Sequence, residues 1–447
     1  MGSERTNQLQ DPNYLPPLHQ SIPLGIQHVL AMFASNVTPA IIIALAAGFA
    51  FGATEMVYMI QIVMVFAGVS TLLQTVGVGP VGARLPIVQG TSFAFIPIMI
   101  PLVKSAGMAA LFGGVIVGGM FHFLLGTVIG RIRNFLPPLV TGVVVLTIGL
   151  TLLPVGIKYA AGGVPLMGKP EFGTLTHWSL ALIVIVVTMG LKFFTRGIVS
   201  SAAVLIALVV GYLVAIPMGL VDFAKVGNAP WFEMPAPMKF GIEFHAAAII
   251  GMCLMSFVSA IETVGDISGI TKGGAGREAT DKEISGGTMA DGLGTILSGF
   301  FGGLPNTSFS QNVGLISMTG IMSRHVVTFG ALFLILAGLV PKVGAIISAM
   351  PIAVLGGGVI VMFGMVVSAG VTMLSEVSWT RRNMLILAIS LSIGIGLQAV
   401  PDALQHVPAT AKILLTSGIL PAAVLAIVLN MVLPQEDVDR EIAQANV

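Results

Sequence analysis

The sequence predicts an all-α polytopic membrane protein whose fourteen transmembrane segments form two inverted repeats of seven spans. Three observations lead there. Of 447 residues, 55% are hydrophobic and only 9% charged, with a mean hydropathy of +0.99, whereas soluble domains carry roughly 25% charged residues. The basic residues are distributed unevenly between the two sides of the apolar runs. Finally, paired motifs recur along the chain at a nearly constant offset.

Taken in order, residues 1–20 are polar and contain proline. They lack the charged stretch and apolar run of a secretory signal and read as a cytoplasmic tail. Apolar runs close to the ~20 residues that cross a bilayer then fall at 22–50, 54–77, 86–101, 107–129, 136–155, 177–195, 199–219, 241–268, 284–301, 306–322, 325–341, 348–375, 383–400 and 411–433. Spans 3 and 10, at 86–101 and 306–322, are short and interrupted, and are read as half-strand/half-helix breaks. Residues 434–447 form a second polar tail. With both termini in the cytoplasm, thirteen of the twenty Lys and Arg residues lie inside, every arginine among them. This is the bias expected of an inner-membrane protein with an even number of spans.

The halves also resemble each other. Leu85-Pro86 precedes Thr91-Ser92-Phe93, and Leu304-Pro305 precedes Thr307-Ser308-Phe309. Thr91 to Thr307 is an offset of 216, Pro137 to Pro351 of 214 and Gly149 to Gly364 of 215. An odd number of spans per copy requires the second to be inverted, and paired broken segments in inverted repeats point to a transporter's binding site. The stretch from Pro305 to Gly314 has three carboxamides, several hydroxyls, a glycine and a proline inside an apolar sequence. Such backbone is tolerated at membrane depth only where protein buries it or it lines a cavity.

Ionisable residues within apolar runs are functional candidates because each is costly unless paired or wetted. Glu262 follows a long uncharged run and can accept from the N–H groups of a heterocycle or carry a proton. Asp266 is nearer the loop beginning at Thr271, where a purely structural role is equally open. Asp291, inside the next apolar run, suits proton relay or the capping of the following half-helix. Histidine as a residue type titrates near physiological pH, which suits His28 to proton coupling, yet it can equally hold two helices together by a hydrogen bond. His122, among aromatic and apolar neighbours, reads as core. Glu55 reads as interfacial, and the remaining histidines fall at ends and loops.

Gln311 and Asn312 offer neutral donor–acceptor pairs that match the cis-amide edge of uracil, xanthine or urate. Phe93 can stack on a flat ring, and Ser92 and Ser310 add donors. Other chemistry is missing: no His-Glu-x-x-His zinc pattern, Walker A loop, nucleophile elbow or Cys/His cluster occurs. No cofactor or metal is therefore expected, and neither is an enzyme or nucleic-acid partner. Cys253, the single cysteine, excludes an intramolecular disulfide.

Gln311-Asn312-x-Gly314-x4-Thr319-Gly320 resembles the signature of the nucleobase–ascorbate transporter family (nucleobase:cation symporter-2). Gln27-His28, Gln89-Gly-Thr-Ser-Phe93, Glu262 with Gly265-Asp266, and Ala290-Asp291-Gly292 agree with it, so the likeness runs from about residue 20 to 433. Gln at position 311 and Gly after Thr319 resemble the bacterial xanthine/uric acid permease branch. Ser92 replaces the Asn often found in strict xanthine carriers and leaves urate, or both substrates, open. The resemblance implies a core domain in two parts, 21–130 (spans 1–4) and 241–341 (spans 8–11). It also implies a gate domain at 131–240 (spans 5–7) and 342–433 (spans 12–14). The core is expected to slide like an elevator, the gate to form a homodimer, and protons to be the coupling ion. Glu262, Gln311, Phe93, Ser92, Ser310 and Asn312 are assigned to the nucleobase, and His28, Glu262 and Asp291 to proton coupling. A uracil or other nucleobase permease, or a passive or anion-type carrier on the same fold, is the alternative.

Overall fold

A computed structural model describes residues 9–132 and 137–434. Arg5, Arg133, Arg440, the Phe135-Leu136 pair and nearly all of the C-terminal tail lie outside the described residues. The structure is predominantly helical. Its longer helices are α1 (Leu18–Ala46), α2 (Thr54–Thr75), α3 (Ile96–Ile132), α4 (Pro138–Ala160), α5 (Leu175–Phe194), α6 (Ala203–Ala215), α7 (Ala246–Ala275), α8 (Asp281–Phe300), α9 (Ser310–Thr319), α10 (Arg324–Gly338), α11 (Pro341–Ser348), α12 (Ile352–Ser375), α13 (Arg381–Ala399), α14 (Ala409–Leu415) and α15 (Ile419–Val432). Two three-residue strands, β1 (Gln89–Thr91) and β2 (Asn306–Ser308), precede α3 and α9.

Among the described residues, eight helices are long and apolar enough to cross a membrane. The count reaches ten if the bent pairs α10–α11 (79°) and α14–α15 (76°) are each one span. The difference from fourteen has local causes. Residues 86–101 begin as extended chain, and their helix runs on into the next expected span through a break at Gly107 (φ 83°, ψ 178°). Helix α8 carries Asp281, Glu283 and Asp291 among small polar residues, and α9 has only ten residues.

The chain divides into two compact units, one of Met1–Arg131 with Pro154–Met362, the other of Ile132–Leu153 with Phe363–Val447. In the first, α1 and α2 are the most enclosed long helices, with 72% and 78% of their apolar windows buried. Small residues draw their neighbour α10 close. A Cβ on Gly25 would lie 2.5 Å from the Val326 carbonyl, and one on Gly68 2.6 Å from that of Ala331. Membrane helices pack through such small-residue contacts because lipid supplies no hydrophobic drive between them. Helices α3 and α8 meet in the same way, Gly292 lying against the Phe123 backbone and Gly126 against Met289. In the second unit Gly370 abuts Leu146, and Leu139, Val143, Leu374, Ile386 and Ala426 form a core. Helix α13 is the sparsest, with 17% of its window buried, leaving its apolar residues for lipid or another surface.

The strands lie within the first unit and pair antiparallel, with Gln89 opposite Ser308, Gly90 opposite Thr307 and Thr91 opposite Asn306. Main-chain bonds continue beyond the strands, from Ser92 N to Pro305 O (2.9 Å) and from Phe309 N to Val88 O (3.0 Å). The outer edges are closed by side chains. Thr71 Oγ1 accepts from Gln89 N (2.9 Å), Asn36 Oδ1 from Thr91 N (2.9 Å) and Thr295 Oγ1 from Asn306 N (3.0 Å). An extended segment inside a membrane protein thus has its amides met by protein, as a water-free surrounding demands. Gly90 is required by space. A Cβ there would stand 2.5 Å from the Phe309 ring, 2.7 Å from Met32 and 2.8 Å from Asn36 Oδ1.

Candidate functional site

Helices α7, α8 and α9 bring three carboxyl groups and the strand pair together. Asp291 Oδ1 accepts from Gln74 Nε2 (2.9 Å) and from Gln89 Nε2, and Oδ2 contacts the Thr263 hydroxyl. Thr263 Oγ1 also lies 3.1 Å from the Ser259 carbonyl one turn earlier on α7. One hydroxyl proton cannot serve both oxygens. With Asp291 ionised, Thr263 donates to it; with Asp291 protonated, Asp291 donates to Thr263 and Thr263 to Ser259. Both charge states are accommodated by rotating one hydroxyl.

Asp266 is gripped from the break itself. Ser308 Oγ, on β2, donates to Oδ2 at 2.7 Å, and Ser310 Oγ, at the start of α9, donates to Oδ1 at 2.7 Å. Nearby, Asn312 Nδ2 and His28 Nδ1 approach to 2.8 Å, which ties α9 to α1. His28, Asp291 and Asn312 are all buried. Ser259 Oγ reaches Thr307 Oγ1 at 3.1 Å, another bond from α7 to the strands.

Glu262 stands one turn before Asp266 on α7, and Gln311 follows Ser310 on α9. The Asp266–Ser310 hydrogen bond joins the two helices that carry them. Both are half-buried. Among the described residues, neither makes a side-chain hydrogen bond to the protein. A buried polar group left unpaired costs ~1–3 kcal/mol, so these two are open to an external partner. Ser92, almost fully buried, uses its amide on Pro305 O and its hydroxyl on Ala94 N (3.3 Å). Phe93 is 8% exposed at the end of the β1 segment.

Sequence reasoning named Glu262, Asp291, His28, Gln311, Asn312, Ser92, Phe93 and Ser310, and all lie within or against the strands and the helices that follow them. Two assignments carry a further engagement. The carboxamide nitrogen of Asn312 faces His28, and the Ser310 hydroxyl is bonded to Asp266. Asp266, read evenly between a loop and a site residue, is held in the site by two serines. Ser308 entered only as part of the repeated Thr307-Ser308-Phe309 motif, and Gln74, Thr263 and Asn36 were not singled out. Their only signal was a polar side chain within an apolar run, and which of those face one another depends on packing. His122 is buried, with no partner for Nε2 among the described residues, and Glu55 is half-buried in the first turn of α2. No group of three or more possible metal-ligating side chains occurs among the described residues.

The broken segments, their interlocked acids and the apolar helices around them define a multi-pass membrane permease rather than an enzyme. A family model described as "Permease family" (Xan_ur_permease) matches residues 19–403, and the chain belongs to this nucleobase–ascorbate transporter family, in its bacterial xanthine/uric acid permease branch. It is 38% identical to the xanthine permease of Bacillus subtilis over 92% of this chain and 93% of that protein. It is 37% identical to the uric acid permease PucJ of the same organism over 91% of each. The uric acid transporter UacT of Escherichia coli is 37% identical over 91% of this chain and 85% of its own length. Among solved structures, the transmembrane domain of the cyanobacterial bicarbonate transporter BicA has a TM-score of 0.56 at 17% identity, covering 92% of this chain and 97% of that one. The murine anion transporter Slc26a9 in its inward-facing state reaches 0.62 at 13% identity, covering 94% and 69%. At such low identity these two establish the fold alone.

Proposed function

We propose that this protein is a proton-coupled symporter importing purine nucleobases, xanthine and/or uric acid, across a bacterial inner membrane. The observation that carries the reading is the pair Glu262 and Gln311. A carboxyl and a carboxamide stand without protein partners beside two paired breaks whose other polar groups largely satisfy one another. A carboxylate accepting from a ring N–H and a carboxamide meeting an N–H/C=O edge are what an oxidised purine requires. Phe93 would stack on the ring, while the segment around Ser92 and the first-turn amides of α9 would add contacts. The 34–38% identity to xanthine and uric acid permeases supports this substrate class.

Coupling would use Asp291 and Glu262. Protonation of Asp291 turns the Thr263 hydroxyl toward Ser259, and its loss inside turns it back, so little else need reorganise. Asn312 and His28 would hold α9 and α1 in one body during transport. The fourteen spans would comprise two inverted repeats, with the core (spans 1–4 and 8–11) moving elevator-fashion against a dimeric gate (spans 5–7 and 12–14). Both termini would be cytoplasmic.

The test is uptake of radiolabelled xanthine and urate into cells expressing the protein, with and without a protonophore. Saturable, protonophore-sensitive accumulation of either is expected. Uptake that only equilibrates would replace the symporter with a facilitator. Absence of both, with protein present at the membrane, would move the assignment to uracil or another nucleobase.

A further inference from the structure

A second polar feature lies outside the site, where the N-terminal segment meets the loop ends of α2, α7, α8 and α10. A cleft of about 430 Å³ is lined there by Arg84, Arg277, Arg324, Glu283, Asn13 and Val76, among others. Three guanidinium groups face one carboxylate. We propose that this cleft binds a phosphate group, either as a free phosphate anion or as the headgroup of an anionic phospholipid.

Donor accounting supports the assignment. Glu283 is committed to Arg277 through a two-pronged pair, Nη1 to Oε2 at 2.9 Å and Nη2 to Oε1 at 2.5 Å. That leaves Arg84 and Arg324 with no acid in the cleft. Arg324 uses Nε on Asn13 Oδ1 (3.0 Å) and Nη1 on the Thr75 carbonyl (2.7 Å), and its Nη2 has no acceptor among the described residues. Arg84 makes one long side-chain bond, Nη2 to Gly79 O at 3.4 Å, so Nε and Nη1 are available. Planar guanidinium forks match phosphate oxygens two at a time.

The cleft is also preformed. Arg84 has φ +56°, a left-handed conformation costly for a residue with a side chain. Two bonds to Gln74 hold it there, from Arg84 N to Gln74 O (2.7 Å) and from Ala83 N to Gln74 Oε1 (3.1 Å). Its stem lies against Gly77, where a Cβ would come within 2.9 Å of Nε. On the opposite wall the N-terminal segment is fastened by Met322 N to Leu9 O (2.8 Å) and Arg324 N to Pro12 O (3.0 Å). A basic edge that served topology alone would need neither the strained arginine nor the strap.

The experiment measures the thermal unfolding midpoint of the purified full chain in two settings. In neutral detergent, inorganic phosphate is titrated against chloride at matched ionic strength. In lipid nanodiscs, phosphatidylglycerol is compared with phosphatidylcholine. A saturable rise of ~1–2 °C is expected with phosphate, with phosphatidylglycerol, or with both. Phosphate acting in detergent identifies a soluble anion, and a rise confined to phosphatidylglycerol discs identifies the lipid. Arg84→Gln, at an exposed position, should abolish the rise, whereas Arg381→Gln, which removes the same charge from α13, should preserve it. No rise in either setting overturns the proposal, as does a rise undiminished in Arg84→Gln. Because no transport is measured, failure here leaves the transport reading untouched, and the reverse also holds.

Discussion

Glu262 and Thr263 are neighbours on α7 with different surroundings. Glu262 is the carboxyl without a protein partner, so Glu262→Gln should reduce proton-coupled uptake to background while the protein remains at the membrane at wild-type amounts. Accumulation at the wild-type level by that variant would remove Glu262 from the mechanism. In the proposed coupling Thr263 acts through Asp291, and its test is a pair of substitutions. Thr263→Val removes a hydrogen bond to a charged group, ~1.5–3 kcal/mol, and should slow uptake roughly 10–100-fold. Thr263→Ser keeps the rotating hydroxyl and should retain most of the rate. Loss in Thr263→Ser with the rate retained in Thr263→Val would show that the methyl group, and so packing, is what matters.

The break was legible as an element because Pro86, Pro305 and the surrounding Ser, Thr and Asn residues cannot form a lipid-facing helix. What it pairs with could not be read, since hydrogen bonds between Gly90 and Thr307 carry no side-chain signature. The apolar cores of α1, α2 and α10 were legible as runs, yet not their glycine-mediated contacts. Conversely, Asp266 was ambiguous because its distance along the chain from the Thr271 loop says nothing about Ser308 and Ser310 approaching from another element. A direct check on the strand crossing is Gly90→Ala. The added Cβ would overlap Phe309, Met32 and Asn36, so ~1–3 kcal/mol of destabilisation is expected, read as a lowered unfolding midpoint. Gly314→Ala, on α9 with nothing within 4 Å of its Cβ position, is the control and should be neutral or slightly stabilising.

For the whole molecule, hydropathy and charge placement were enough to indicate a multi-pass membrane protein, because the bilayer imposes both. The span count was harder to read, because half-helices and the polar α8 are hidden from any apolar-length criterion. Sidedness can be measured directly. In a Cys253→Ser background, Gln10→Cys and Pro434→Cys should both resist an impermeant maleimide in right-side-out vesicles and both react in inverted ones. Opposite behaviour of the two positions would require an odd number of crossings.

The β1–β2 crossing also governs how the chain can be made. Its partners are separated by more than two hundred residues, so its contact order is extreme, and non-local pairings of this kind form late and slowly. As the chain leaves the ribosome, the first half is inserted while the amides of Gly90 and Ser92 still await their acceptors. However early β1 is inserted, this crossing cannot close until Asn306–Ser308 has been made. Chains interrupted before Asn306 should accumulate as inserted but protease-sensitive intermediates, because the amides around Gly90 are left unsatisfied in the membrane interior.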